Sequence, residues 1–248
     1  MKRRLIFPFL LAFAMLILPA IACRFNFDQR EEMTTRLKRY YSIEPLSLLD
    51  ALEKENASPF TPIATEPELP PLSEQIPVNW HQEDYLHIVQ ALFKEVWGDT
   101  PDGWSLKSFG FSVACSFVDY GFQDGSFRYF KNAEKADEQI RVERRIYIDA
   151  RSRFVQVLEF EYAPRLVDWG VVDMARLHYS ADDVLQIAEK EGGQEARLAI
   201  QNNCDVNLLL VSDAPRYRGW DIWYWGYRGY DGNIFEIWVD PVTGKIRR

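Results

Sequence analysis

Few residues in this chain have the type and spacing to do chemistry. The three cysteines, Cys23, Cys115 and Cys204, include no Cys-x-x-Cys pair, so neither a thiol redox centre nor a zinc site is expected. His81 and His87 are six residues apart, which suits neither one helical face nor a usual metal spacing, and His178 is remote in sequence. Gly110-Phe111-Ser112-Val113-Ala114 approaches a nucleophile elbow, but that device needs a sharp strand-to-helix turn at the serine. Ser112 instead lies in an alternating run that reads as a continuous strand. Acidic pairs such as Asp182-Asp183 and Glu159/Glu161 arise by chance among 37 carboxylates. His-Glu-x-x-His, P-loop and Gly-x-Gly-x-x-Gly patterns are absent. The chain is therefore expected not to be an enzyme and to use neither metal nor cofactor.

The most unusual stretch runs from Tyr217 to Trp238 and is dense in aromatic residues. On a strand, Trp220, Ile222 and Tyr224 face one way, while Trp223, Trp225 and Tyr227 face the other. A helix layer can cover only one of these rows. The second row needs the first half of the chain, another chain or a ligand over it. Trp220, Trp223, Trp225, Tyr227 and Tyr230 are thus the candidate partner-binding aromatics. The partner would be a protein or peptide, with a sugar-stacking platform as the other ligand class and burial by the first half as the structural alternative.

Several elements must position these residues. Leu86, Val89, Leu92, Phe93 and Val96 recur at helical spacing before Gly98. Phe109, Phe111, Val113, Cys115 and Phe117 alternate with small residues and predict a strand with one large-residue face. Strands are also expected at Ser126–Phe130, Ile140–Ile148 and Phe154–Glu161, with Asp124-Gly125 as a hairpin turn. Ser180, with Asp183 three positions on, caps a helix that carries Val184, Leu185, Ile187 and Ala188 and stops at Gly192-Gly193. Leu198–Ile200, Val206–Val211, Trp220–Tyr227 and Ile234–Val239 read as strands, with a turn at Asp231-Gly232. The order helix, strands, helix, strands predicts an α+β fold of two tandem helix-on-antiparallel-sheet units at residues 79–165 and 166–248. Ile146–Asp149 and Ile237–Asp240 end the two halves alike.

The N-terminus carries the clearest targeting signal. Lys2, Arg3 and Arg4 precede an apolar run from Leu5 to Ala22, the layout of a signal peptide or membrane anchor over residues 1–22. Ala20-Ile21-Ala22-Cys23 resembles the lipobox of bacterial lipoproteins, which makes Cys23 the lipidation candidate. Lipidation, retention as an anchor and plain secretion all place the remainder outside the cytoplasm, and the first two hold it on the outer face of a membrane. Cys115 and Cys204 then lie in a disulfide-permissive compartment and are a candidate bridge, or else two small buried hydrophobes. Residues 23–56 read as a charged, partly helical juxtamembrane segment, with a helix over Phe27–Tyr41. Residues 57–78, rich in proline, read as an extended linker. The net charge of −8 argues against a nucleic-acid partner. Removing residues 1–22 takes away three cations and no anions, leaving −11.

Two stretches carry a family resemblance. Ser180-Ala181-Asp182-Asp183-Val184-Leu185-Gln186-Ile187-Ala188-Glu189-Lys190-Glu191-Gly192-Gly193 resembles the helix that opens PepSY-type domains, and Trp238-Val239-Asp240-Pro241-Val242-Thr243-Gly244-Lys245-Ile246 their closing strand-turn-strand. The resemblance spans about residues 175–248, with a divergent second copy suggested at 79–165, where Asp149-Ala150-Arg151-Ser152-Arg153 lacks the turn glycine. It implies a small extracytoplasmic domain that binds or restrains peptidases and has no catalytic residues of its own. The expectation is a membrane-tethered extracytoplasmic module that binds a protein or peptide of the cell envelope. A scaffolding lipoprotein and a carboxylate-based hydrolase are the alternatives.

Overall fold

Every strand among the described residues joins one sheet. The computed structural model describes residues 32–54, 58–68, 70, 71, 75, 77–135, 138–163, 170–211, 219–227, 229 and 232–247. In chain order the elements are β1 (Glu32–Ser42), α1 (Leu48–Glu53), β2 (Thr61–Ile63), α2 (Gln82–Trp97), β3 (Ser105–Ala114), β4 (Asp124–Lys135), β5 (Glu138–Asp149), β6 (Phe154–Ala163), α3 (Ala181–Ala188), α4 (Gln194–Ala199), β7 (Cys204–Val211), β8 (Gly219–Gly226), β9 (Gly232–Val239) and β10 (Ile246–Arg247). Across the sheet they run β10-β9-β8-β7-β3-β4-β5-β6-β1-β2, and each strand pair is antiparallel.

This corrects the expected α+β fold of two tandem helix-on-sheet units. Among the described residues the structure is strand-dominated and built on a single ten-stranded sheet, with α2 the one long helix. The physical reason is the seam between β3 and β7, which pair from Ser108↔Val211 to Ala114↔Asp205. Two separate sheets would each have left one of these strands as an open edge, a row of unpaired backbone groups. At the end of the seam a disulfide joins Cys115 to Cys204, with Cα atoms 5.3 Å apart.

The N-terminal boundaries also differ from expectation. Residues 32–41 of the expected helix Phe27–Tyr41 belong instead to β1, which pairs with β6 from Glu32↔Ala163 to Ser42↔Phe154. Thr34, Thr35, Tyr40 and Tyr41 are strand formers, and a partner more than a hundred residues away decides the conformation. The proline-rich stretch is not simply a spacer. Thr61–Ile63 pairs with β1 at the sheet edge, where Pro62 is tolerated, and Phe60, Val78 and Trp80 are buried in the core. The folded body therefore begins by residue 32, not near 79.

Elsewhere, Asp124-Gly125 opens β4 instead of turning a hairpin. Leu198 lies in α4, not in a strand. Gly192, at φ 122°, breaks the regular helix, but the chain re-enters it through a wide turn over Glu189–Gly193. The capping box at Ser180 and Asp183 is present.

Alternation sorts the sheet into two faces. The inner face carries Phe109, Phe111, Phe127, Ile146, Ile148, Val155 and Val157 on one side of the seam. Val206, Leu208, Leu210, Trp220, Ile222, Tyr224, Ile237 and Val239 continue it on the other, and all are buried. On it, α2 lays Tyr85, Ile88, Val89, Leu92 and Phe93, with Tyr85 5.3 Å from the Phe111 ring and Phe93 5.1 Å from Tyr129. α3 adds Ala181, Val184, Leu185 and Ala188. Burying these large side chains, at about 1.5–3 kcal/mol each, holds the helices to this face. Among the described residues no helix is long and apolar enough to cross a membrane.

Candidate functional site

The outer face of the sheet is polar and half-buried, and its centre is hollow. On β3, Gly110 and Ser112 point outward, and in register with them β4 offers Ser126 and Asp124. Small residues on two adjacent strands leave a trough of about 360 Å³. Its walls are Trp223 on β8 and Tyr147 on β5, four strand spacings apart, or roughly 19 Å. A larger hollow of about 700 Å³ lies at the β1–β2 edge, lined by Lys38–Tyr41 and Pro62–Glu66. It gathers Lys38, Arg39, Tyr40 and Glu66, but the outward aromatic row meets the trough, through Trp223, and the trough is therefore the candidate site.

One end of the trough is closed by a charge cluster. Asp124 and Asp149 are direct cross-strand partners, and Arg151 follows in the turn after β5. The Arg151 guanidinium donates from Nε to Asp124 Oδ1 at 3.2 Å, and its Nη2 pairs with Asp124 Oδ2. It also lies 3.9 Å from Asp149 Oδ1 and 3.7 Å from Asp205 Oδ2. Ser112 Oγ donates to Asp124 Oδ2 at 2.6 Å, and Asp149 Oδ1 accepts the Ser152 N–H at 2.9 Å. Three carboxyls thus surround one guanidinium. Burial raises the Asp124 carboxyl and the neighbouring Asp149 adds to this, outweighing the pull of Arg151, so that Asp124 reaches about 8.

The arrangement is better suited to holding shape than to breaking bonds. Asp124 and Asp149 are 3% and 5% exposed, and their oxygens already accept from Arg151, Ser112 and Ser152. A carboxylate pair that activates water needs room for that water between its oxygens. Ser112 lies inside β3 as its alternation implied, and its partner is a carboxyl, not an imidazole. His81 caps α2 and His87 lies within it, both on the helix layer, while His178 hydrogen-bonds the turn after β9. Among the described residues, no three His, Cys, Asp or Glu side chains converge as metal ligands do.

The aromatic candidates divide between the faces. Trp220 belongs to the core, not to a binding surface: it is fully buried, 5.1 Å from the Phe109 ring, and its indole N–H donates to Tyr179 O. Trp223 is half-buried and Trp225 is 46% exposed on the outer face. Tyr227 is half-buried beside the charge cluster, and burial together with the neighbouring Asp205 raises the pKa of its hydroxyl. Tyr230 and Cys23 lie outside the described residues. The described residues of the first half do not cover the outer row, because their strands continue the same sheet edge to edge.

Asp124, Asp149, Arg151 and Asp205 escape a reading of the sequence. Asp124 reads locally as a turn residue, and the cluster forms only through cross-strand register. A partial signal existed in Asp149–Arg153, which ends one hairpin as Asp240–Gly244 ends another. Asp149 and Asp240 each accept the N–H three residues on, and Arg153 (φ 55°) takes the left-handed position that Gly244 (φ 68°) takes in the second turn. Comparison with known protein families, with curated proteins and with solved structures gives no match.

Proposed function

We propose that the protein is an exported, membrane-tethered binding module that presents the outer face of its sheet to a protein or peptide of the cell envelope. The observation that carries this is the Trp223–Trp225 row beside the trough, on a sheet face that none of the described helices covers. Aromatic side chains left half in water on a flat, ordered support are what recognition surfaces use, since they supply large contact areas at small entropic cost. The leader-like residues 1–22 and Cys23 supply the tether. Residues 175–248, with their PepSY-like opening helix and closing hairpin, supply the analogy to peptidase-binding domains.

Capture from envelope extracts tests the surface, with the full chain compared to its Trp223→Ala/Trp225→Ala variant. A partner retained by the parent and lost by the variant supports the reading. Retention by both places the contact elsewhere. The tether is tested by Cys23→Ser, which should release the chain from the membrane fraction.

A further inference from the structure

The outer face around Trp223 has a charge as well as a shape. Trp225, Trp223 and Asp221 point outward in succession along β8. Across the register, Asp205 of β7 stands opposite Trp225, and Glu236 of β9 stands opposite Trp223. Directly opposed side chains are about 5 Å apart at Cβ, so each carboxylate-bearing residue stands beside an indole on the same face. The remaining register neighbours, Asn207, Leu209, Asn233 and Trp238, bring no cation. Arg151 approaches Asp205 but is shared with Asp124 and Asp149. Among the described residues, Asp221 Oδ1 is buried without a hydrogen-bond partner, and Glu236 is exposed, with Asn233 Nδ2 donating to it at 2.5 Å.

We infer that this face receives a lysine- or arginine-bearing segment of a partner polypeptide, its cation laid on the Trp223 and Trp225 rings between Asp221, Asp205 and Glu236. The inference rests on the outer face being the binding surface and adds the chemistry of what binds there. A cation over an indole face is the strongest pairing of its kind, and flanking carboxylates supply the hydrogen-bond acceptors an ammonium or guanidinium needs. An anionic segment would meet three carboxylates, and a neutral one would leave Asp221 unpaired.

Titration of the full-length protein with oligolysine, oligoglutamate and a neutral Gly-Ser peptide of equal length tests this, read by tryptophan emission and heat of binding. Oligolysine should bind saturably and shift the emission. Trp225→Ala, and separately Asp221→Asn with Glu236→Gln, should each weaken binding about tenfold. Glu95→Gln, on the helix side, should leave it unchanged and so separate the site from general attraction to an acidic protein. Comparable binding of the neutral or acidic peptide that is lost in Trp225→Ala would overturn the preference for a cation while leaving the outer face as the binding surface. Oligolysine binding insensitive to all outer-face variants, or absent, would overturn the inference. The capture experiment above decides the surface independently.

Discussion

Gln82 and Asp182 cap each other's helices. Gln82, the first residue of α2, donates its backbone N–H to Asp182 Oδ2 at 3.1 Å, and its side-chain Oε1 accepts the Ala181 N–H of α3 at 2.8 Å. Two helices that begin a hundred residues apart thus satisfy orphan N–H groups with each other's side chains. Asp182 Oδ1 also meets His81 Nδ1 at 2.7 Å. Asp182→Ala should therefore cost about 0.5–2 kcal/mol in a denaturant titration. An unchanged midpoint would show that the two helix starts do not depend on this contact.

The Cys115–Cys204 bridge closes a loop of 89 residues across the β3–β7 seam. Reduction, or Cys115→Ala with Cys204→Ala, should lower stability by roughly 2–5 kcal/mol without dissolving the sheet, because the seam's backbone pairing remains. Denaturant midpoints with and without reductant measure this, and equal midpoints would contradict it.

Asp124 gives a pH signature. Its carboxyl is raised by burial to about 8 in the folded chain, against an ordinary value of 3.8. The native state thus holds a proton that the unfolded chain releases, and the stabilisation is complete below about pH 4 and lost as pH rises through 8. Asp124→Asn should flatten that slope. A Tm that falls equally with pH in the variant would assign the slope to other groups.

Glu143 works in the opposite sense. Burial alone would raise it, but hydrogen bonds from Arg145, Arg128 and Tyr162 bring it down to about 2. Its stabilising contribution is present above the ordinary value of 4.5 and lost as pH falls towards 2. Its side chain is fully buried, with Arg128 Nε at 2.6 Å, Arg145 Nε at 2.8 Å and Tyr162 Oη at 2.7 Å. Glu143→Gln should cost about 1–3 kcal/mol, since it strips a charge from two guanidiniums that are themselves about a third exposed. Acid titration of parent and variant, followed by near-UV dichroism, checks both the cost and its sign.

The parts of the fold that were legible in sequence are those whose period is strong and whose partner is close in the chain. The large-small alternation of β3 and the capping box at Ser180 are of this kind. So is the split of Trp220, Ile222 and Tyr224 from Trp223 and Trp225. What escaped depends on distant pairing. β1 looks helical until β6 supplies its partner, and nothing local says that β3 and β7 will meet edge to edge instead of heading two sheets. The trough escaped for the same reason, because Asp124, Arg151 and Asp205 come together only after β7, β3, β4 and β5 are in register.

The account depends on one face of the sheet being covered by helices and the other being free to receive a partner. A photo-crosslinking residue in place of Trp225, on the outer face, can be compared in intact envelopes with one in place of Tyr120, which is 53% exposed on the helix side. The account expects a discrete adduct from position 225 and none from position 120. Identical adducts from both positions, or an adduct from 120 alone, would contradict it.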